Sequence, residues 1–188
     1  MQTSRFLLCF LFLSATAVAQ EISDADKALI QKIQEAGGQA MPLAKNDARL
    51  TVAFHLSDKD VTDDTLALLK DAASIHSLNL RGTKVTDAGL AHLAGLKGLT
   101  RLHLEKTAVT DAGLAHLASL PALEYLNLYE TKVTDAGLPH ISGIKTLRRL
   151  FVWQSGITEA GEETLKAANA ELQIVPDFRK DQIGRAHV

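Results

Sequence analysis

Three histidines, His92, His116 and His140, and three aspartates, Asp87, Asp111 and Asp135, recur along the chain at one fixed spacing. Either set could ligate a metal, and the carboxylates could act as general acids or bases. Metal ligation needs several such side chains about 2 Å from one ion. Side chains borne on successive packed helices are held about 10 Å apart, so neither row can close around an ion. The histidines are expected to pack on a repeated helix, and the aspartates to sit at its positive end beside a capping threonine. No serine, histidine and aspartate set, phosphate loop or paired-carboxylate motif stands out. An enzyme, a bound metal and a cofactor are therefore not expected. The residues left that could bind something are Arg101, His103, Glu105, Tyr125, Asn127, Tyr129, Arg149, Phe151 and Trp153. Their role depends on the elements that carry them.

Those elements repeat every 24 residues. Thr83-Lys-Val-Thr-Asp-Ala-Gly-Leu-Ala-His-Leu returns with small changes from Thr107 and again from Thr131. A period of this length means that each unit buries its apolar face only against its neighbours, which is a stacked solenoid. Each full unit also carries one leucine template, as in Leu99-x-x-Leu102-x-Leu104-x-x-Thr107-x-Val109. Copies run from Leu123 and Leu147, and a degenerate one from Ile75.

With threonine or serine in the asparagine or cysteine slot, this template resembles the leucine-rich repeat. The Val-Thr-Asp-Ala-Gly-Leu segment is similar to the ribonuclease-inhibitor-like group of bacterial leucine-rich repeat proteins. The resemblance covers roughly 50–174 and implies an α/β fold. That fold is a right-handed leucine-rich repeat solenoid, with parallel strands on the concave face, helices on the convex face and a cap at each end. It implies a non-catalytic binding surface without naming what is bound.

The physics of the repeat agrees. Thr83, Thr107, Thr131 and Ser155 stack at the turn leaving each strand, where their hydroxyls can pair loop carbonyls. Thr86, Thr110 and Thr134 are expected N-caps. Leu90, Leu93 and Leu96 give the helix one inward stripe. About six aliphatic side chains per rung, at roughly 1.5–3 kcal/mol each, offset the entropy of ordering the chain.

In such a strand the residues between the leucines point away from the core. Aligned by the period, one column is Ser77, Arg101, Tyr125, Arg149; a second is Asn79, His103, Asn127, Phe151; a third is Arg81, Glu105, Tyr129, Trp153. Four of the aromatic residues beyond the leader, Tyr125, Tyr129, Phe151 and Trp153, fall in these columns. The core is already supplied with leucine, so an exposed aromatic patch flanked by Arg101 and Arg149 has the composition of a binding hot spot. Tyr125, Tyr129, Phe151 and Trp153 are expected to be the anchors, with Arg101, His103, Glu105, Asn127 and Arg149 as polar rim. The expected partner is a protein or peptide. Three readings stay open beside it: Phe151 and Trp153 covering the C-terminal end near Phe178, a carbohydrate-binding module stacking on sugar rings, and an accessory module of a larger protein.

The ends carry different information. Arg5, the apolar run Phe6 to Leu13 and the small residues Ala17-Val18-Ala19 read as a signal peptide over 1–19, cleaved before Gln20. That predicts an exported protein, periplasmic or extracellular, with no membrane insertion after cleavage; an uncleaved anchor is the competing reading. Cys9, the single cysteine, leaves with this segment, so no disulfide or thiolate site is expected. A net charge of −2 without a basic run gives no reason to expect nucleic acid. Residues 20–48 read as an N-terminal helical cap, with Ser23 opening a helix that Gly37-Gly38 ends. Leu50 to Ser57 reads as the first strand, with Val52, Phe54 and Leu56 on one face. The solenoid is expected over 49–178, closing where Glu162 puts a charge on the helix face and Pro176 ends a strand. The tail is 179–188. Within it Ile183-Gly184-Arg185-Ala186-His187-Val188 fits no structural pattern and matches the translation of a sequencing adapter. A monomer is expected.

Overall fold

The computed structural model describes residues 22–175. The signal peptide, the tail, Pro176 and Phe178 lie outside the described residues.

Among the described residues, seven strands form one sheet in chain order. They are β1 (Gln39–Ala44), β2 (Asp47–Ala53), β3 (Ile75–Asn79), β4 (Arg101–His103), β5 (Tyr125–Asn127), β6 (Arg149–Phe151) and β7 (Gln173–Val175). From β2 onward neighbours are parallel, whereas β1 pairs antiparallel with β2. This is the leucine-rich repeat solenoid expected from the period. Leu78, Leu102, Leu126 and Leu150 pair across β3 to β6 and are fully buried. Leu80, Leu104 and Leu128, two residues further on, are buried as completely. Backbone bonding continues past the short strands: Leu104 N and Lys106 N donate to the carbonyls of Asn127 and Tyr129 at 3.0 and 2.9 Å. The third concave column is therefore held as firmly as the first two.

The turn leaving each strand repeats in detail. Gly82, Lys106, Glu130 and Gln154 all adopt positive φ, at 70°, 57°, 54° and 54°. The hydroxyls of Thr83, Thr107, Thr131 and Ser155 donate to the carbonyls three residues back at 2.6–2.8 Å, as their stacking predicted. Thr86, Thr110 and Thr134 accept from the backbone N–H two residues on, as N-caps.

The described residues hold six α-helices: α1 (Asp24–Glu35), α2 (Asp63–Leu66), α3 (Asp87–Leu90), α4 (Asp111–Leu117), α5 (Leu138–Gly143) and α6 (Glu159–Ala168). Several are single α-turns joined to 3-10 segments, at 67–69, 91–95 and 135–137. The spacing of Leu90, Leu93 and Leu96, read as a helical stripe, is three residues at each step. That matches the three-residue turn of the 3-10 form, which brings all three leucines inward.

The aspartates do more than sit at a helix end. Asp87 Oδ1 accepts from Thr110 N at 2.8 Å and Oδ2 from Thr110 Oγ1 at 2.6 Å. Asp63 makes the same two bonds to Thr86, Asp111 to Thr134 and Asp135 to Thr158. Each carboxylate thus ties one repeat to the next. The glycine two residues after each later aspartate is part of the joint. A Cβ at Gly113 would lie 2.3 Å from Asp87 Oδ1.

Three expectations need correction. The segment read as a helical cap also contains β1, joined to β2 by the tight turn at Lys45-Asn46. Leu56, placed on the buried face of the first strand, is 70% exposed, because the chain turns after Phe54. Glu162, read as a charge on an outer helix face, is buried.

Candidate functional site

The concave columns form as the period predicted. Ser77, Arg101, Tyr125, Arg149 and Gln173 lie opposite one another across β3 to β7. So do Asn79, His103, Asn127, Phe151 and Val175. Pairing puts neighbours about 5 Å apart, so large side chains in one column must touch.

Two aromatic tiers result. In the first, Tyr125 is the hub. Its ring centroid is 4.8 Å from that of His103 and 5.2 Å from that of Phe151, both tilted. The Arg101 guanidinium carbon lies 4.9 Å from the Tyr125 centroid and that of Arg149 5.9 Å, within cation–π range. Burial pushes the Tyr125 hydroxyl above its ordinary pKa. In the second tier Tyr129 stacks on Trp153, with centroids 4.8 Å apart and planes 24° from parallel. Lys106 Nζ sits 5.8 Å from the Tyr129 centroid. Sequence reasoning passed over Lys106. Its αL turn position turns it toward the ring, and the 24-residue period could have flagged that position.

Between the tiers lies a polar knot. Glu105 Oε1 is 2.9 Å from His103 Nδ1 and accepts from Asn127 Nδ2 at 2.6 Å. Asn127 Oδ1 in turn accepts from Tyr129 N at 3.0 Å, fixing the strand end beneath the second tier. Glu105 was expected on an exposed polar rim, but it is buried. Its Oε2 has no hydrogen-bond partner among the described residues.

The anchors differ from expectation in degree. Tyr125, Tyr129, Phe151 and Trp153 are half-buried rather than exposed, because they cover one another. Arg101 and Arg149 are exposed. His116 is exposed and His92 and His140 are part-buried, and no three His, Cys, Asp or Glu side chains come together in a metal-binding group among the described residues. No described helix is long and apolar enough to cross a membrane.

Residues 72–94 match the family model described as leucine-rich repeat. The fold is a leucine-rich repeat solenoid. Its likeness to solved structures extends along most of the chain. Actin-binding site 2 of leiomodin-1 aligns over 88% of this chain and 96% of its own, at 14% identity and a TM-score of 0.52. The leucine-rich repeat ectodomain of the receptor kinase SOBIR1 from Arabidopsis thaliana aligns over 84% of this chain and 93% of its own, at 14% identity and a TM-score of 0.50. A leucine-rich repeat protein of Leptospira interrogans is 21% identical over 59% of this chain, with a TM-score of 0.44. The match spans only 27% of that longer protein. No curated protein matches the chain.

Proposed function

We propose that this protein is a non-catalytic, exported scaffold that captures a protein or peptide partner on its concave face. The observation that carries this reading is the gathering of Tyr125, Tyr129, Phe151 and Trp153 on two adjacent rungs, outside a core already filled by leucine. Tyr and Trp with flanking arginine are what binding hot spots are made of. Mutual stacking pre-orders these rings, so less side-chain entropy is lost when a partner settles on them. The rim consists of Arg101, His103, Asn127 and Arg149, with Glu105 bracing it from below.

The ring contacts favour a peptide over a sugar. Stacking on a sugar ring needs a free aromatic face. Tyr129 already has Trp153 against it and Lys106 over it, and Tyr125 has two guanidinium groups nearby. Export rests on the leader reading of 1–19, and N-terminal sequencing of the protein from its host should find Gln20 first. The Val-Thr-Asp-Ala-Gly-Leu consensus supports placement in the ribonuclease-inhibitor-like group.

The test is binding of a partner isolated on the intact protein, compared with Tyr129→Ala and Trp153→Ala variants, with melts run alongside. Binding should be lost while the cooperative melt shifts by only a few degrees, about 1 kcal/mol. Undiminished binding, or a collapse of the melt, would remove these residues from the binding site.

A further inference from the structure

We infer that the concave face takes an acidic peptide segment, whose carboxylates dock on Arg101 and Arg149 on either side of Tyr125. The inference rests on the concave-face reading above and adds the chemistry of the partner.

Charge is segregated on this molecule. The chain as a whole carries −2, yet the charged residues in the three columns from β3 to β6 are Arg81, Arg101, Arg149 and Glu105. The arginines are exposed, and none forms an ion pair among the described residues. The one carboxylate is buried and already engaged by His103 and Asn127. A ligand approaching Tyr125 therefore meets two arginines with no acid paired to them, while Glu130, exposed next to Tyr129 in the chain, is already paired with Lys106 at 3.3 Å. Several exposed cations elsewhere do have an acid beside them: Arg49 has Asp47, Lys84 has Asp60 and Arg148 has Glu171.

Geometry sharpens the chemistry. Arg101 and Arg149 are two strands apart, with Tyr125 between them. Strand spacing of about 4.8 Å puts their backbones roughly 10 Å apart. A peptide in the polyproline II form rises about 3.1 Å per residue with three residues per turn, so carboxylates three positions apart share one side and span about the same gap. Both guanidinium groups are steadied by the Tyr125 ring, which presents their planar donor forks for bidentate carboxylate pairing. The half-buried aromatic tiers supply the apolar contact between the charges.

The experiment is to pan a phage-displayed library of random peptides against the immobilised full chain. Selected sequences should be enriched in Asp and Glu, with acidic pairs three apart. The strongest binder, made as a free peptide, should lose affinity about tenfold or more to the Arg101→Glu/Arg149→Glu variant. It should also weaken with added salt, as charge-steered contacts do. Arg101→Gln/Arg149→Gln removes the charge without reversing it and should give an intermediate loss with an unchanged melt. Enrichment of neutral or basic peptides, selection of none, or acidic peptides indifferent to both arginine variants would each overturn the inference. Binding of heparin fragments without any selected peptide would overturn it in favour of an anionic glycan. Neutral peptides that are lost with Trp153→Ala would overturn the charge assignment and keep the concave site. Peptides untouched by either the arginine or the aromatic changes would remove the concave site as well.

Discussion

The aspartate ladder and the concave face are built on the same repeats and behave in opposite ways. Asp63, Asp87, Asp111 and Asp135 make the same two bonds to the next repeat, at 2.6–2.8 Å each time. The column Ser77, Arg101, Tyr125, Arg149 changes residue at every step, though its backbone register does not change. Positions that repeat are answering a neighbour that also repeats. Positions that vary on an unvarying backbone are released from that demand, so their chemistry is available for something outside the molecule. In this chain the varied positions collect aromatic rings and unpaired arginines.

The contrast can be broken most forcefully in one strand. Leu126 faces the core and is fully buried, and Tyr125 beside it faces the concave side. Leu126→Ala should cost about 2–5 kcal/mol of unfolding free energy. Tyr125→Ala should cost well under half of that by denaturant titration, and equal costs would mean that the concave tier is itself structural core.

A smaller effect sharpens the ladder side. Gly113→Ala places a methyl where Asp87 Oδ1 now sits, which should cost about 1–3 kcal/mol. The same change made in an Asp87→Ala background should cost much less, since the obstructing carboxylate is gone. Additive costs in that double-mutant cycle would uncouple the glycine from the ladder.

The gentlest probe is acid. Hydrogen bonds from the Thr158 hydroxyl and backbone N–H hold the Asp135 carboxyl below its usual pKa. A group depressed in the folded state adds stability that is complete above the unfolded carboxylate value, about 3.9, and is lost as pH falls through the folded value. Asp47, held by Arg49 at about 2, acts in the same direction. The melting temperature should therefore fall as pH drops below about 4. Asp135→Asn should flatten that fall, whereas Arg101→Gln should leave it unchanged. A pH profile that Asp135→Asn does not alter would assign the acid sensitivity elsewhere.

Much of this was legible in the residues. The 24-residue period, the leucine template and the threonines at Thr83, Thr107 and Thr131 specify rung, turn and cap through contacts within one repeat or with its copy. The concave columns followed from the same period, since strand alternation decides which side chains leave the core. Strand β1 was missed because Met41, Pro42 and Leu43 show no alternation and belong to no repeat. Met41 and Leu43 remain exposed on the strand, so burial left no pattern in the sequence to read.

By itself, then, the amino-acid sequence determined the solenoid, its register and the columns that carry the candidate site, because each repeat meets a near-copy of itself and the period carries that contact. Only the tertiary structure decided how the varied side chains settle against one another. It buried Glu105 against His103 and Asn127, stacked Tyr129 on Trp153, and left Arg101 and Arg149 unpaired around Tyr125. It also turned the aspartates from helix-end charges into joints between repeats. Those outcomes depend on distances between side chains 22–24 residues apart, which are set only once the rungs have stacked.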